Sequence, residues 1–192
     1  MSIEIAGNWK KGFAFDVHTL ASTYLGVDEF GHDQWENTRS DMGQLVYDLK
    51  YRSDKTAISK IVDLLDKFKG IESIDYIVPI PATKKQRSIQ PVLEIANELG
   101  KRKNVTVLDQ LLIKQPGVRE LKNVTDIEQR RAILKKSLTL SNGYKVSGKN
   151  ILLIDDLYRS GATLSAATEL LYEVGKVKDV YVLTMTKTRS NR

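Results

Sequence analysis

The stretch NILLIDDLYRSGATL, Asn150 to Leu164, constrains this 192-residue chain more than any other part of it. The run Ile151–Ile154 is continuously apolar, the habit of strands buried on both faces in parallel sheets. It breaks into two adjacent carboxylates, Asp155 and Asp156, and then a short polar loop. After Thr163, residues Leu164, Ala167, Leu170, Leu171 and Val174 recur at helical spacing up to Gly175, and VYVLTM, Val180 to Met185, returns to strand. Strand, loop, helix, strand is a βαβ unit with parallel strands and a right-handed crossover. The expected fold class is α/β, with a mostly parallel twisted sheet flanked by helices.

Upstream segments alternate in the same way. Ile58, Ile61, Val62, Leu65 and Phe68 predict a helix over 54–68, with Gly70 placed as its C-cap. DYIVPIP, Asp75 to Pro81, reads as a strand stopped by its prolines. Val92, Ile95, Ala96 and Leu99 predict a helix ending at Gly100, and NVTVLD, Asn104 to Asp109, a further strand. KQPGVRELKN, Lys114 to Asn123, has a Pro-Gly turn and no period and reads as a mobile loop, while Thr125 and Glu128 form a capping box. Residues 1–50 mix aromatic and polar positions without a single period. Trp9 and Trp35 are expected as packing residues, and His18 as a surface or packed histidine.

Composition narrows the chemistry. The chain has no cysteine, which excludes disulfides, thiolate nucleophiles and cysteine zinc sites, and its two histidines, His18 and His32, make no metal site alone. Any metal is therefore expected on oxygen ligands. No apolar run is long enough to span a bilayer, and MSIEIAGNWKKGFAF lacks the apolar core of a secretory signal, so a cytoplasmic protein without membrane contact is expected. The net charge of +6 is spread among 24 acids without a basic tract, so nucleic acid is not the favoured partner.

In open parallel sheets, ligands bind outside the carboxyl ends of the strands, which is where Asp155 and Asp156 stand. The loop that follows opens a helix, whose free amides and positive dipole end suit a phosphate. Gly161 permits close approach, Ser160 and Thr163 offer hydroxyls, and Arg159 offers charge. Carboxylates beside a phosphate cradle suit a ligand with vicinal hydroxyls near a phosphate, such as a ribose 5-phosphate. GYKVSGKN, Gly143 to Asn150, contains the G-x-x-x-x-G-K of a nucleotide-binding loop. It has Asn150 where Ser or Thr should hold a metal, however, and it leads into a strand instead of a helix.

ILLIDDLYRSGATL closely resembles the phosphoribosyl-diphosphate (PRPP) motif of type I phosphoribosyltransferases. LVYDLKYRSDKTA, DYIVPIP and ELKNVTDIEQRRAIL resemble segments of the ComF-like branch, although the four-cysteine zinc module common in that branch is missing; together these matches span about residues 42–186. The resemblance implies a type I phosphoribosyltransferase domain over 42–192 behind an N-terminal extension, 1–41, that acts as a hood or packing segment. It implies that Asp155 and Asp156 engage the ribose hydroxyls directly or through Mg²⁺. Tyr158, Arg159, Ser160, Gly161, Ala162 and Thr163 would wrap the 5-phosphate, and Thr83, Lys84 and Arg87 would meet the pyrophosphate. The activity implied is Mg²⁺-dependent transfer of a phosphoribosyl group from PRPP to an unknown acceptor, with a homodimer expected. The alternative is a non-catalytic module of the same fold that senses PRPP or a nucleotide and acts through nucleic acid or a protein partner.

Overall fold

The computed structural model describes residues 2–82, 89–115 and 137–189. Its centre is a six-stranded sheet in the order β1 (Ile3–Glu4), β2 (Lys11–Val17), β10 (Asp179–Lys187), β9 (Asn150–Tyr158), β5 (Tyr76–Pro79), β6 (Thr106–Val107). Only the β1–β2 pair is antiparallel, so the sheet is mostly parallel as expected. The first seventeen residues thus supply two strands of this sheet. Residues 19–39 leave it as a separate antiparallel hairpin, β3 (Thr19–Val27) and β4 (Asp33–Arg39), and β7 (Leu112–Lys114) pairs with β8 (Leu138–Leu140) in a third, two-stranded sheet.

Helices cover both faces, and the period-two alternation of strand side chains decides which residue meets which layer. On one face Ile151 and Leu153 of β9 join Val78, Val180 and Val182 against Leu164, Ala167 and Leu171 of α4 (Ala162–Glu173). On the other, Leu152 and Ile154 join Ile77, Leu183 and Met185. Against them pack α1 (Asp41–Tyr51) through Met42, Val46 and Leu49, α2 (Thr56–Leu65) through Ile61, Val62 and Leu65, and α3 (Pro91–Lys103) through Ile95, Ala96 and Leu99. Each such fully buried aliphatic side chain contributes about 1.5–3 kcal/mol. Among the described residues no helix is long and apolar enough to cross a membrane.

Several boundaries differ from expectation for physical reasons. Helix α3 does not end at Gly100; it runs to Lys103 and is capped by Asn104 in the left-handed region. Gly100 is needed for close packing instead, since a Cβ there would lie 2.5 Å from Val107 Cγ2 and 2.7 Å from Val105 O. Gly70 does not cap α2, whose C-cap is Asp66; with φ of 91° it precedes a 3₁₀ turn over Ile71–Ser73. The strand read over Asn104–Asp109 pairs only at Thr106 and Val107. Trp9 is buried as expected, but Trp35 is 53% exposed on the hairpin.

Candidate functional site

The chain leaves β5 through α3 to reach β6 on one side, whereas β9 leads through α4 to β10 on the other. The reversal falls between β5 and β9, the point at which open α/β sheets form a ligand crevice at the carboxyl ends of their strands. The prolines of VPIP shape it. Pairing of β5 with β9 ends at Pro79 opposite Ile154, with a last bond from Ile80 N–H to Ile154 O at 2.9 Å. Pairing of β9 with β10 continues to Tyr158 opposite Lys187. The acids therefore lie inside an extended strand, not in the turn after it, on a stretch that has outrun its β5 neighbour.

Strand alternation sends the two adjacent carboxylates to opposite faces of the sheet. Asp156 follows Leu152 and Ile154 toward the three-helix layer, where Lys50 from the last turn of α1 donates to its Oδ2. Asp155 follows Ile151 and Leu153, and the charge of Lys114 at the end of β7 acts on it. Burial first, and then the charge of Asp156, raise the Asp155 carboxyl to about 7; the amide of Asp156 donating to its Oδ1 at 2.8 Å and the lysines oppose the rise. Burial in turn lowers the Lys114 amine below its ordinary value. Thr184, in register with Asp155, buries a hydroxyl that has no hydrogen-bond partner among the described residues.

The structure brings three residues here that sequence reasoning did not. Lys50 was visible only as part of a resemblance, and nothing in the sequence singled out Arg39. His18 follows β2, and its amide donates to Lys187 O at 2.8 Å, so parallel pairing carries it to the same sheet edge. Thr186 Oγ1 lies 3.1 Å from His18 Nδ1 and donates its single proton to Asp156 O at 3.1 Å. Nδ1 must then carry the imidazole proton, leaving Nε2 as the lone-pair nitrogen. Burial, with Arg39 and Lys50 adding to it, holds the imidazole pKa below 6.5 against the opposing pull of Asp156, so His18 is neutral near pH 7.

The loop from Tyr158 to Thr163 is built from below. Tyr158 is buried, its hydroxyl donates to Ala6 O at 3.3 Å, and its ring meets Trp9 edge-on at 6.4 Å. Above it, Gly161 takes φ of 72°, and a Cβ there would sit 2.7 Å from Tyr158 Cε2. Only glycine fits both the backbone and the ring beneath it. Arg159 and Ser160 are exposed, and Ala162 and Thr163 open α4, whose N-terminus has no side-chain cap. The first amides of the helix therefore keep donors for an anion. Asn8 donates to Ser165 O at 3.0 Å, so the segment Ala6–Trp9 buttresses both loop and helix, a contact with no local sequence signal.

Thr83, Lys84 and Arg87 lie outside the described residues, as do most of the expected mobile loop after Gln115 and the Thr125–Glu128 box. The nucleotide-loop lookalike is structural: Lys149 Nζ lies 3.1 Å from Asp75 Oδ1, and Asn150 N–H donates to Asp75 Oδ2 at 2.8 Å. Among the described residues no group of three or more metal-ligating side chains comes together. The donor set still fits Mg²⁺ in the form that ion prefers, one or two carboxylates with the remaining oxygens from substrate and water. Asp155 is the donor suited to it, being a half-buried carboxyl that a cation would return to its ionised form, whereas Asp156 already has Lys50 as its counter-charge.

No protein-family model and no curated protein sequence matches the chain. Solved structures do. Glutamine PRPP amidotransferase from B. subtilis, complexed with ADP and GMP, superposes with a TM-score of 0.51 at 16% identity, over 83% of this chain and 35% of that one. Adenine phosphoribosyltransferase from Thermoanaerobacter pseudethanolicus gives 0.49 at 16% identity, over 79% and 88% of the two chains. Orotate phosphoribosyltransferase from Aeropyrum pernix gives 0.46 at 13%, over 86% and 74%. At these identities the likeness is one of architecture, and with the mostly parallel sheet and its flanking helices it establishes that this chain has the type I phosphoribosyltransferase fold.

Proposed function

We propose that the chain binds PRPP at the carboxyl end of β9 and transfers its phosphoribosyl group to an acceptor, releasing pyrophosphate. The observation that carries this reading is the succession of an acid pair at the switch point and an uncapped helix N-terminus at Gly161. Carboxylates suit the ribose 2- and 3-hydroxyls, and the Arg159–Thr163 loop suits the 5-phosphate. Thr83, Lys84 and Arg87 follow β5 in sequence and are proposed for the pyrophosphate. The ComF-like branch is the placement we favour within the fold, because Lys50 of its LVYDLKYRSDKTA segment meets Asp156.

Loss of pyrophosphate from C1 leaves positive charge shared between C1 and the ring oxygen, as in glycoside cleavage. Lys50 donates to Asp156 and fixes its side chain, so a carboxyl group is positioned before that charge develops. Asp155, raised to about 7, can accept from or donate to a sugar hydroxyl. Mg²⁺, when bound, would neutralise charge on the leaving diphosphate. His18 Nε2 offers a neutral lone pair at the same sheet edge for the acceptor's proton.

Calorimetric titration of PRPP with and without Mg²⁺, repeated on Asp155→Asn plus Asp156→Asn, tests the site. The expected result is binding that the double variant loses by about a hundredfold or more. Pyrophosphate release is then assayed across purine, pyrimidine and amine acceptors. No binding by folded wild type would sink the proposal, while binding without turnover on any acceptor would favour the sensing module.

A further inference from the structure

Among the described residues no carboxylate pairs with Arg39, and its Nε is buried without a hydrogen-bond partner. A buried donor left so is uncommon and calls for an explanation. Arg39 ends β4 opposite Thr19, so the ladder of the hairpin sets it beside His18, and its charge acts on that imidazole. The neighbouring ions are already engaged. Lys50 donates to Asp156, Arg52 Nη1 lies 3.0 Å from Asp48 Oδ1, and Asp16 Oδ1 accepts from the Val17 amide at 2.7 Å. Asp41 is exposed in the first turn of α1, where a carboxylate favours the helix dipole.

The Arg39 side chain is nonetheless held in place. Its guanidinium lies 3.8 Å from the centre of the Tyr47 ring, a cation–π contact that occupies one face and leaves the planar N–H fork directed outward. The next residue, Ser40, donates to Val17 O at 2.5 Å and accepts from the Gly43 amide at 3.0 Å, which fastens the β4–α1 junction to the end of β2. His18 and Arg39 are thus fixed on either side of one junction. Thr186 and the pairing with β10 hold the imidazole, while Tyr47 and Ser40 hold the guanidinium.

Sheet order gives this junction its place in the reaction. Strand β5, with the residues proposed for the pyrophosphate after it, lies on one side of β9, and β10 and β2 lie on the other. Displacement at C1 admits a nucleophile from the side away from the leaving group. Strand β2 stands two strand spacings from β9, about 10 Å, the span of a small molecule laid across β10. We propose, on the phosphoribosyl transfer read above, that the acceptor is an N–H nucleophile carrying a carboxylate, which Arg39 grips through its fork while His18 Nε2 faces the nitrogen. The acceptor nitrogen bonds to C1 with its lone pair, the C1–O bond breaks with its electrons leaving on pyrophosphate, and the nitrogen's proton passes to Nε2. One guanidinium, with Lys50 engaged elsewhere, suits a single negative charge better than a phosphate dianion.

The test sets three acids against their amides: glycine and glycinamide, anthranilate and anthranilamide, imidazole-carboxylate and imidazole-carboxamide. Each is titrated into the full nitrogen-15-labelled chain, with and without PRPP and Mg²⁺. At least one acid is expected to shift the Arg39 Nε–H and His18 ring signals saturably, with its amide about tenfold weaker or worse. Arg39→Gln should weaken that acid about ten- to hundredfold and leave the amide as it was, and Arg39→Lys, which keeps the charge without the fork, should fall between. His18→Asn should keep the acid bound and lose pyrophosphate release with it. Far-UV circular dichroism and melting of each variant show that it is folded. No acid bound, acids no tighter than their amides, binding that survives Arg39→Gln, or equal occupation of the site by inorganic phosphate would each overturn the proposal. Loss of PRPP affinity in Arg39→Gln would do so too, by making Arg39 a ligand of PRPP itself. Wild type that binds an acid at Arg39 but no PRPP would instead overturn the transfer reading, and with it the acceptor role, while the acid site stood.

Discussion

Asp155→Asn is expected to make the protein more stable and less able to bind its ligand. Unfolded, Asp155 releases its proton near 3.8; folded, it holds it to about 7. Between those values the native state binds more protons, so the contribution of this group to stability falls as pH rises through that window and stays low above it. At about 1.4 kcal/mol per pH unit, the full penalty at pH 8 is about 4 kcal/mol. Part of it is repulsion from Asp156, and the native chain can relax around a charge, so a gain of about 2–4 kcal/mol is expected when asparagine removes the charge and keeps an oxygen to accept from the Asp156 amide. For a chain of this size that is about 4–16 °C in melting temperature. Thermal and denaturant unfolding of both proteins at pH 3.5 and pH 8 measures it, with PRPP added in a parallel series. The two should nearly coincide at pH 3.5 and separate at pH 8, and only wild type should gain from PRPP. A variant less stable at pH 8, or equally shifted at both pH values, would refute an uncompensated, half-buried carboxyl at this position.

The neighbouring substitution should act in the opposite sense. Asp156→Asn strands the Lys50 ammonium, only 23% exposed, and is expected to cost about 1–3 kcal/mol by denaturant unfolding at pH 7. Gly161→Ala forces a Cβ into the Tyr158 ring at positive φ; a loss of about 1–2 kcal/mol in stability, and of PRPP affinity by about tenfold or more, should appear in melts and calorimetry. Nitrogen-15 NMR of His18 should show a midpoint below 6.5 and the Nδ1–H tautomer, and Thr186→Val should abolish that preference.

Much of the central architecture was legible because strands buried on both faces leave long apolar runs and their crossover helix leaves a 3.6-residue period. ILLID, α4 and β10 were read close to their true bounds. The placement of the acid pair, the loop after it and the helix start was legible too, since all three are contiguous in the chain. What was missed depends on contacts distant in sequence. Helix α1 carries Met42, Val46 and Leu49 at helical spacing behind Ser40, which accepts from the Gly43 amide at 3.0 Å, yet the aromatic residues before it masked the change of period. His18 looked solitary because only the parallel pairing of β2 with β10 carries it to Thr186. Gly100 read as a helix stop because a glycine required by a neighbouring strand and one required by a cap are the same letter.

The early end of β5 has a consequence for solubility as well as for binding. Beyond Ile154, β9 has no strand neighbour on its β5 side among the described residues, and an apolar edge of that kind would be open to pairing with strands of other molecules. Asp155 and Asp156 stand where that exposure begins. Polar carboxyl groups at such a position, where apolar side chains would invite a partner strand, oppose intermolecular β-pairing. Apolar residues at both positions would remove that protection, and intermolecular pairing along β9 is the expected result.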